Sequence, residues 1–217
     1  MIVAIDGPAG SGKTTTAHKV ALNLGFIHIN TGAMYRGIAL KFIREKINLD
    51  NRNDIELTLK NTRLHWSGPN SKNILMDGQD ITLDIVSSRV TRIVSRISAI
   101  PEVRNKLVQN QREIAKDQDV VLEGRDIGTV VFPEAEYKFF LLADIHVRAK
   151  RRMKQIKADG ENISIEEVLF FLKKRDKQDS SRIYSPLKKA EDAIELDTTY
   201  LSIDQQVNFI INIVNKN

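Results

Sequence analysis

The chain has 217 residues, 41% of them hydrophobic and 28% charged, and a formal net charge of +5 at pH 7. This composition is typical of a globular domain with one core, and no apolar run approaches the length of about 20 residues that spans a bilayer. The chain has no cysteine, which excludes disulfides, thiolate metal sites and cysteine nucleophiles and favours a reducing, cytoplasmic location. The positive charge is compatible with binding of nucleic acid or of an anionic small molecule, and equally with solubility alone. The distribution of the charged residues along the chain has to distinguish these explanations.

The first predicted elements are a strand, a glycine-rich loop and a helix. The apolar run Ile2-Val-Ala-Ile-Asp6 leads into Gly7-Pro-Ala-Gly-Ser-Gly-Lys-Thr14, which matches the P-loop pattern Gly-x-x-x-x-Gly-Lys-[Ser/Thr]. In this pattern the backbone N–H groups face one anion, the lysine reaches the β- and γ-phosphates, and the hydroxyl binds Mg²⁺. Because a functional strand starts directly after Met1, we expect no cleaved leader. We expect Thr14 to bind the metal, and the residues that bind ATP to be Gly7, Pro8, Ala9, Gly10, Ser11, Gly12, Lys13, Thr14 and Thr15.

The next segments predict a second strand at 26–29 and a helix that starts within 30–36. His28 lies in this strand, and we expect a buried structural histidine there, because we expect no second histidine or paired carboxylate nearby. A polar stretch follows, and then the segments 62–66 and 73–77 predict a small antiparallel unit around the turn 67–70.

The second half of the chain alternates between helical and extended patterns. Amphipathic helices are predicted over 86–97 and 101–114, and a strongly basic helix over 147–157. The patterns Ser164-x-x-Glu167 and Ser202-x-x-Gln205 predict capping boxes that start two further helices. Short apolar segments predict three more strands, at 119–123, 138–142 and 193–196.

Five strands separated by helices predict an α/β fold with a five-stranded parallel sheet and helices on both faces. Such sheets bind ligands beyond the carboxyl ends of their strands. The P-loop, the segment 30–36 and the segment 123–128 each follow a strand, so we expect them to meet in one cleft.

Arginines are concentrated downstream of the P-loop, in loops or on polar helix faces. Phosphoryl transfer needs such donors, because negative charge spreads over the oxygens of the moving group. Asp126 and Asp179 either accept hydrogen bonds from a substrate or orient a neighbouring arginine. Glu123 either reaches the metal through water or pairs with Lys13. The arginines in question are Arg36, Arg125, Arg148, Arg152, Arg175 and Arg182.

Four segments together resemble the bacterial cytidylate kinases, a family of P-loop nucleoside monophosphate kinases. They are the P-loop, Thr31-Gly-Ala-Met-Tyr-Arg36, Glu123-Gly-Arg-Asp-Ile-Gly-Thr-Val-Val-Phe-Pro133 and Arg175-Asp-x-x-Asp179-x-x-Arg182. The resemblance implies transfer of the ATP γ-phosphate to CMP or dCMP with Mg²⁺. It also implies one kinase domain over 1–217, in which the core comprises about 1–30, 118–145 and 183–217, the nucleoside-monophosphate-binding insert about 31–117, and the lid about 146–182.

Carried over position by position, the resemblance also implies roles for individual residues. Lys13, Arg125, Arg148 and Arg152 would be catalytic, the last two by closing on the transferred phosphoryl group. Thr31, Arg36, Arg125 and Arg182 would hold the acceptor's phosphate, while Ser95, Arg104 and Asp126 would contact the cytosine and Arg175 and Asp179 the sugar. The chain departs from the family pattern at two places. Asn30-Thr31 stands where family members often have Asp-Ser, and Glu123 stands where many have Asp.

Two alternatives remain open from the residues. One is a P-loop kinase for another small acceptor, such as UMP, AMP or a non-nucleotide alcohol. The other is a basic nucleic-acid-binding protein, against which stand the 6% aromatic content and the lack of an aromatic-interleaved RNA motif. We expect nucleotides as the only partners, no nucleic acid or membrane, and a monomer.

Overall fold

The computed structural model describes residues 1–67, 73–158, 160 and 163–216, and these form eight strands and eight α-helices. In chain order they are β1 (Ile2–Asp6), α1 (Lys13–Leu24), β2 (Ile27–Asn30), α2 (Thr31–Arg44), α3 (Arg52–Asn61), β3 (Leu64–Ser67), β4 (Asn73–Met76), β5 (Gln79–Asp80), α4 (Ser88–Ile97), α5 (Pro101–Ile114), β6 (Val120–Gly124), β7 (Tyr137–Leu142), α6 (Ile145–Ala158), α7 (Ile165–Ser180), β8 (Ile194–Asp197) and α8 (Ile203–Val214).

Five strands form a parallel sheet in the order β2-β6-β1-β7-β8. This confirms the predicted α/β fold, with β1 at the centre of the sheet. Asp6 is paired with Gly124 in the register, and Asn30 with Glu123. The carboxyl ends of β1, β2 and β6 therefore lie at one edge, and the loops that follow them meet there, as expected.

Alternate residues of the central strands face opposite sides of the sheet, and helices cover both sides. On one side Val3 and Ile5 pack with residues of α1 and α8 such as Val20 and Ile210. On the other side Ala4 packs with residues of α2 and α5. Both faces are buried, which explains why these strands are continuously apolar.

Local sequence signals set the helix ends. The capping boxes at Ser164 and Ser202 are both formed, and α5 begins at Pro101. The Asn30 side chain caps α2 by accepting from the Ala33 N–H at 3.0 Å. Gly25 ends α1 with a φ of 71°, in the left-handed region that glycine adopts without strain.

The structure differs from the sequence predictions in the middle of the chain. The antiparallel unit is formed, but it has three strands because the two-residue β5 pairs with β4. The predicted turn at 67–70 lies mostly outside the described residues. The helix predicted from residue 86 begins at Ser88, after a 3₁₀ turn in which Val86 is 59% exposed.

Helices α6 and α7 pack on each other through a small core of their own, formed by Ala149, Val168 and Leu172 with Ala9 of the P-loop against it. The division into core, insert and lid stays a prediction, and the loop around Gly160, within the predicted lid, lies largely outside the described residues. Within the described ranges, every helix is too short or too polar to cross a membrane.

Candidate active site

The P-loop is shaped by one close backbone approach. Gly7 has a φ of 147°, and a Cβ on it would lie 2.1 Å from the main-chain oxygen of Leu141 in β7. A side chain at this position would therefore force β1 and β7 apart. The predicted ATP-binding residues 7–15 run from the end of β1 through the loop and into the first turn of α1.

Lys13 lies at the start of α1 and is buried. Its ammonium donates to the carbonyl oxygen of Pro8 at 2.6 Å and to the Ser11 hydroxyl at 3.3 Å. Burial, followed by the nearby charge of Arg125, holds the pKa of Lys13 well below its usual range. A phosphate beside this ammonium would offset both effects, since it would bring negative charge to a buried positive group.

Thr14 donates its hydroxyl proton to Glu123 Oε2 at 2.8 Å. Mg²⁺ at nucleotide sites takes one or two protein oxygens and fills its shell with water and substrate phosphates. The Thr14 hydroxyl and the Glu123 carboxylate form a donor set of this kind. Lys13 donates to the P-loop rather than to Glu123, so among the described ion pairs the alternative of a Lys13–Glu123 pair is absent.

The expectation about the surroundings of His28 was wrong. His28 Nε2 lies 3.5 Å from Glu123 Oε1, and the His28 ring meets the His18 ring edge-on with 5.5 Å between centroids. Among the described residues, His28 Nε2 and Glu123 Oε1 are both buried without a hydrogen-bond partner. The carboxylate comes from a strand 95 positions further along the chain, which is why no local pattern predicted it.

Three arginines converge on one buried carboxylate. Asp179, on α7, is 1% exposed and accepts from Arg125 Nε at 2.8 Å and from Arg182, while Arg175 Nε lies 3.9 Å away. Burial alone would raise the pKa of Asp179, but the three guanidinium groups outweigh it and lower the pKa. Arg125 follows β6, so the cluster lies at the edge of the sheet that carries the P-loop.

Positive charge exceeds negative charge in this cluster. Burial, followed by Arg125, lowers the pKa of Arg175 to about 9, and burial, followed by Arg152 and Arg125, lowers the pKa of Arg36 to about 10. Arg36 donates to the Thr91 hydroxyl at 2.8 Å and to a main-chain oxygen at 3.2 Å. These residues would accommodate a doubly charged phosphate, which would neutralise the excess.

A second buried ion pair lies beside this cluster. Arg104, on α5, pairs with Asp126 and places its guanidinium carbon 5.3 Å from the centroid of the Tyr35 ring. It also donates to the main-chain oxygen of Ser98 at 2.9 Å, and Arg182 donates to the Ser98 hydroxyl at 3.0 Å. Burial lowers the pKa of Arg104, but Asp126, Tyr35 and Asp179 together outweigh burial and raise it.

The structure places the remaining predicted residues around these clusters. Ser95 lies on α4, one turn before Ser98. The main-chain oxygen of Ser95 accepts from the Ser98 hydroxyl at 3.1 Å. The Thr31 hydroxyl donates to the main-chain oxygen of Glu123 at 2.7 Å. Arg152, on α6, donates to Gln155 at 3.1 Å, and its charge acts on both Arg36 and Arg175.

Arg148, also on α6, joins the predicted lid to the P-loop. It donates to the main-chain oxygen of Ala9 at 3.1 Å and to Asp176 at 2.6 Å. Next to it, Arg151 donates to Thr198, whose hydroxyl in turn donates to the main-chain oxygen of Ser11 at 2.8 Å. The basic helix therefore contacts the phosphate-binding loop directly.

Sequence reasoning missed several residues of this site: Asp6, Tyr35, Ser98, Arg151, Asp176 and Thr198. Ser98 and Thr198 are single polar residues without a motif around them. Three others carried a usable signal, because Asp6 is an acidic residue at the end of an apolar strand next to the P-loop, and Tyr35 and Asp176 lie within the segments 31–36 and 175–182.

The family model described as "Cytidylate kinase" matches residues 3–216. A cytidylate kinase of Caldanaerobacter subterraneus subsp. tengcongensis is 45% identical, with 99% of this chain and 95% of the relative covered. One of Fusobacterium nucleatum subsp. nucleatum is 46% identical, with 100% and 98% covered. None of these matches supports a kinase for another acceptor or a nucleic-acid-binding protein.

Two solved structures share the fold. An uncharacterized protein from Eubacterium ventriosum aligns with a TM-score of 0.52 and 14% identity, covering 100% of this chain and 99% of the other. TT1252 from Thermus thermophilus aligns with a TM-score of 0.51 and 16% identity, covering 100% and 96%. Identities this low show a common fold and nothing about substrates.

Proposed function

The chain belongs to the cytidylate kinase family, and from this premise we infer that it transfers the γ-phosphate of ATP to CMP or dCMP, giving ADP and CDP or dCDP. We further propose which residues carry out the transfer. One observation supports the assignment above the others: three arginines share the single carboxylate of Asp179 beside the P-loop.

We propose that the donor nucleotide lies on the P-loop. The backbone N–H groups of the P-loop, to which Pro8 contributes none, would hold the β- and γ-phosphates at the N-terminus of α1, and the Lys13 ammonium would move from Pro8 to them. Thr14 would bind Mg²⁺, with Glu123 reaching the ion through water. When bound, Mg²⁺ neutralises part of the charge on these phosphates.

We propose that the phosphate of the acceptor lies among Arg36, Arg125 and Arg182, beside Thr31. Their guanidinium groups can each donate two parallel hydrogen bonds to phosphate oxygens. Arg175, held near Asp179, would then face the sugar. The excess positive charge of this cluster favours a dianion over a neutral ligand.

The base would be recognised by the ion pair of Arg104 and Asp126, with Ser95 on the adjoining turn of α4. Cytosine presents an amino group that donates, and carboxylates accept from it. Uracil has an oxygen at that position, so Asp126 would face an acceptor and lose the hydrogen bond. This contrast supports cytosine over uracil as the preferred base.

The chemical step requires no general base. The bond between the γ-phosphorus and the bridging oxygen of ADP breaks, and a bond to an oxygen of the acceptor phosphate forms. A phosphate monoester has a second pKa near 6 and is mostly a dianion at neutral pH, so it attacks without losing a proton. Arg125, Arg148 and Arg152 would neutralise the charge that spreads over the transferred group.

We propose that the chain works as a monomer in the cytoplasm, with nucleotides as its substrates. The lack of cysteine supports the cytoplasmic location. Light scattering on a sizing column would test it, since a dimer would double the mass of 24.6 kDa.

The proposed reaction is tested by ADP release from Mg-ATP with CMP, dCMP, UMP, AMP or no acceptor in parallel. We expect strong dependence on CMP and dCMP, weaker activity with UMP, and almost none with AMP. Equal stimulation by UMP would remove the role of Asp126 in base choice. No stimulation by any nucleotide would overturn the proposed function.

A further inference from the structure

Asp6 is a buried acid that the reaction proposed above leaves unused. It ends β1, the strand before the P-loop, and is 5% exposed. Its two oxygens accept from two consecutive backbone N–H groups, Ile127 at 2.9 Å and Gly128 at 2.8 Å. Asp6 is 121 positions away from that turn in the chain, so the contact links two separate segments of the sheet edge.

The two N–H groups belong to a short helical turn, Ile127–Val131, whose first amides need an acceptor. The residue at the usual capping position is Asp126, and aspartate is among the best capping residues. Its side chain makes no capping bond, because it is turned away to pair with Arg104. Asp6 supplies from another strand the acceptor that Asp126 does not.

We propose that Asp6 is a positioning residue for base recognition: by capping the turn Ile127–Val131 in place of Asp126, it leaves the Asp126 carboxylate free to face Arg104 and the acceptor base. The proposal rests on the proposed function only for the identity of that base. Without Asp6, the Asp126 carboxylate would be drawn back to the amides of its own turn.

Other charged groups around Asp6 agree with this role. Burial raises the pKa of Asp6 to about 6, and the charge of Asp126 adds to this rise. The N–H groups of Gly128 and Ile127 and the charge of Lys13 oppose the rise. Lys138 packs its stem against Gly128, but its ammonium turns away to Pro133 and to Asp192. The capping carboxylate is therefore ionised at neutral pH despite its burial.

The test is Asp6→Asn, which keeps the shape but replaces one acceptor oxygen with a donor. We expect the KM for CMP to rise about 10-fold, the cost of a lost hydrogen bond to a charged group. The KM for ATP should stay within about two-fold, because the P-loop keeps its own contacts. The ratio of kcat/KM for CMP to kcat/KM for UMP should also fall, which a loss of stability alone would not cause.

The matched control is Asp77→Asn. Asp77 also accepts from a backbone N–H, that of Arg63 at 2.8 Å, in a turn after β4. This variant should leave both KM values unchanged. A KM for ATP that rises in Asp6→Asn while that for CMP stays constant would overturn the proposal, because Asp6 would then act through Lys13.

A measurement on the unmodified protein covers the case in which Asp6→Asn does not fold. In NMR spectra without nucleotide, the amides of Ile127 and Gly128 should titrate with a midpoint near pH 6, the pKa of Asp6. Constant shifts between pH 5 and 7 would contradict the capping contact. A wild type that ignores every nucleotide would overturn the proposed function and leave this readout unaffected.

Discussion

The P-loop and the arginine cluster around Asp179 lie at the same edge of the sheet, yet they are assembled differently. The P-loop is one continuous segment, in which Lys13 donates to Pro8 of the same loop and the glycine backbone allows the close approach of Gly7 to Leu141 in β7. The arginine cluster is collected from the end of β6, from α7 and from the segment after α7, and α2 adds Arg36. In the proposed function, the first region would bind phosphate through backbone N–H groups and one lysine, and the second through guanidinium groups.

This difference has an energetic consequence. A loop of backbone N–H groups carries partial charges and remains stable without ligand. A group of arginines in a half-buried cleft repels itself, and the Asp179 carboxylate holds it together. Loss of a P-loop side chain should therefore lower activity and leave stability intact, whereas loss of the carboxylate should lower both.

The largest effect expected is that of Asp179→Ala on stability. Removal of one partner from a buried ion pair costs about 3–5 kcal/mol, because the other charges remain buried and unpaired. Urea unfolding at neutral pH would measure it. Asp192→Ala is the control, since that carboxylate pairs with Lys138 at 2.6 Å but is 64% exposed, and its loss should cost far less stability than that of Asp179. Equal losses in the two variants would contradict the central role of Asp179.

Lys13→Met should show the opposite behaviour. Loss of a preorganised positive charge at the transferred phosphate should lower kcat about 100- to 1,000-fold. The urea midpoint should stay close to that of the wild type, because removal of the buried Lys13 charge relieves its desolvation. Turnover and unfolding assays on the same preparation would separate the effect on kcat from the effect on stability. Lys19→Met, on the exposed side of α1, should match the wild type in both.

Asp6 directly precedes the P-loop and accepts from the turn that follows Arg125 and Asp126, and its pKa gives a prediction for stability against pH. The folded-state pKa of about 6 lies above the unfolded value of about 4, so between these pH values the folded protein holds a proton that the unfolded chain has released. The contribution of Asp6 to the free energy of unfolding therefore falls as pH rises from 4 to 6, by about 3 kcal/mol.

The difference in unfolding free energy between wild type and Asp6→Asn, measured from pH 4 to 7, would show this fall. Asp77→Asn gives the opposite sign: hydrogen bonds from Lys41 and Arg63 outweigh burial and lower the pKa of Asp77, so its contribution grows with pH. If the two variants showed the same slope, the environment assigned to Asp6 would be wrong.

The smallest effect expected comes from His28, which lies beside Glu123 at the proposed Mg²⁺ site. His28→Phe would leave the second oxygen of Glu123 without a polar neighbour. We expect the Mg²⁺ concentration for half-maximal rate to rise about three-fold, in line with one weak polar contact. His28→Gln, which keeps a donor, should restore the wild-type value. If Gln behaved like Phe, His28 would serve only to fill space.

The sequence could predict what depends on near neighbours along the chain. The P-loop, both capping boxes and the five core strands follow from spacing and residue type, and the structure has them at those places within a few residues. The two-residue β5 has no periodicity of its own, and it exists because β4 is beside it. Val86 has the spacing of a helix face but lies on an exposed 3₁₀ turn.

Contacts between distant segments could not be predicted in the same way. Arg125 and Asp179 are 54 positions apart, and Arg104 and Asp126 are 22 apart. Each residue alone is compatible with a solvated surface charge, and only the fold makes them partners. His28 and Glu123 show the same limit, because the fold supplied the carboxylate that the sequence around His28 lacks.

The position of β1 at the centre of the sheet has a consequence for how the chain acquires its structure. Its two neighbours in the sheet are β6 and β7, which lie more than 110 positions later. During synthesis, β1 is therefore made more than 110 residues before either neighbour, and its apolar side chains stay without these partners until β6 and β7 have followed. Contacts of such long range slow folding and prolong exposure of an unpaired strand. The nascent chain should thus be a client of chaperones for longer than a protein of this size built from local hairpins.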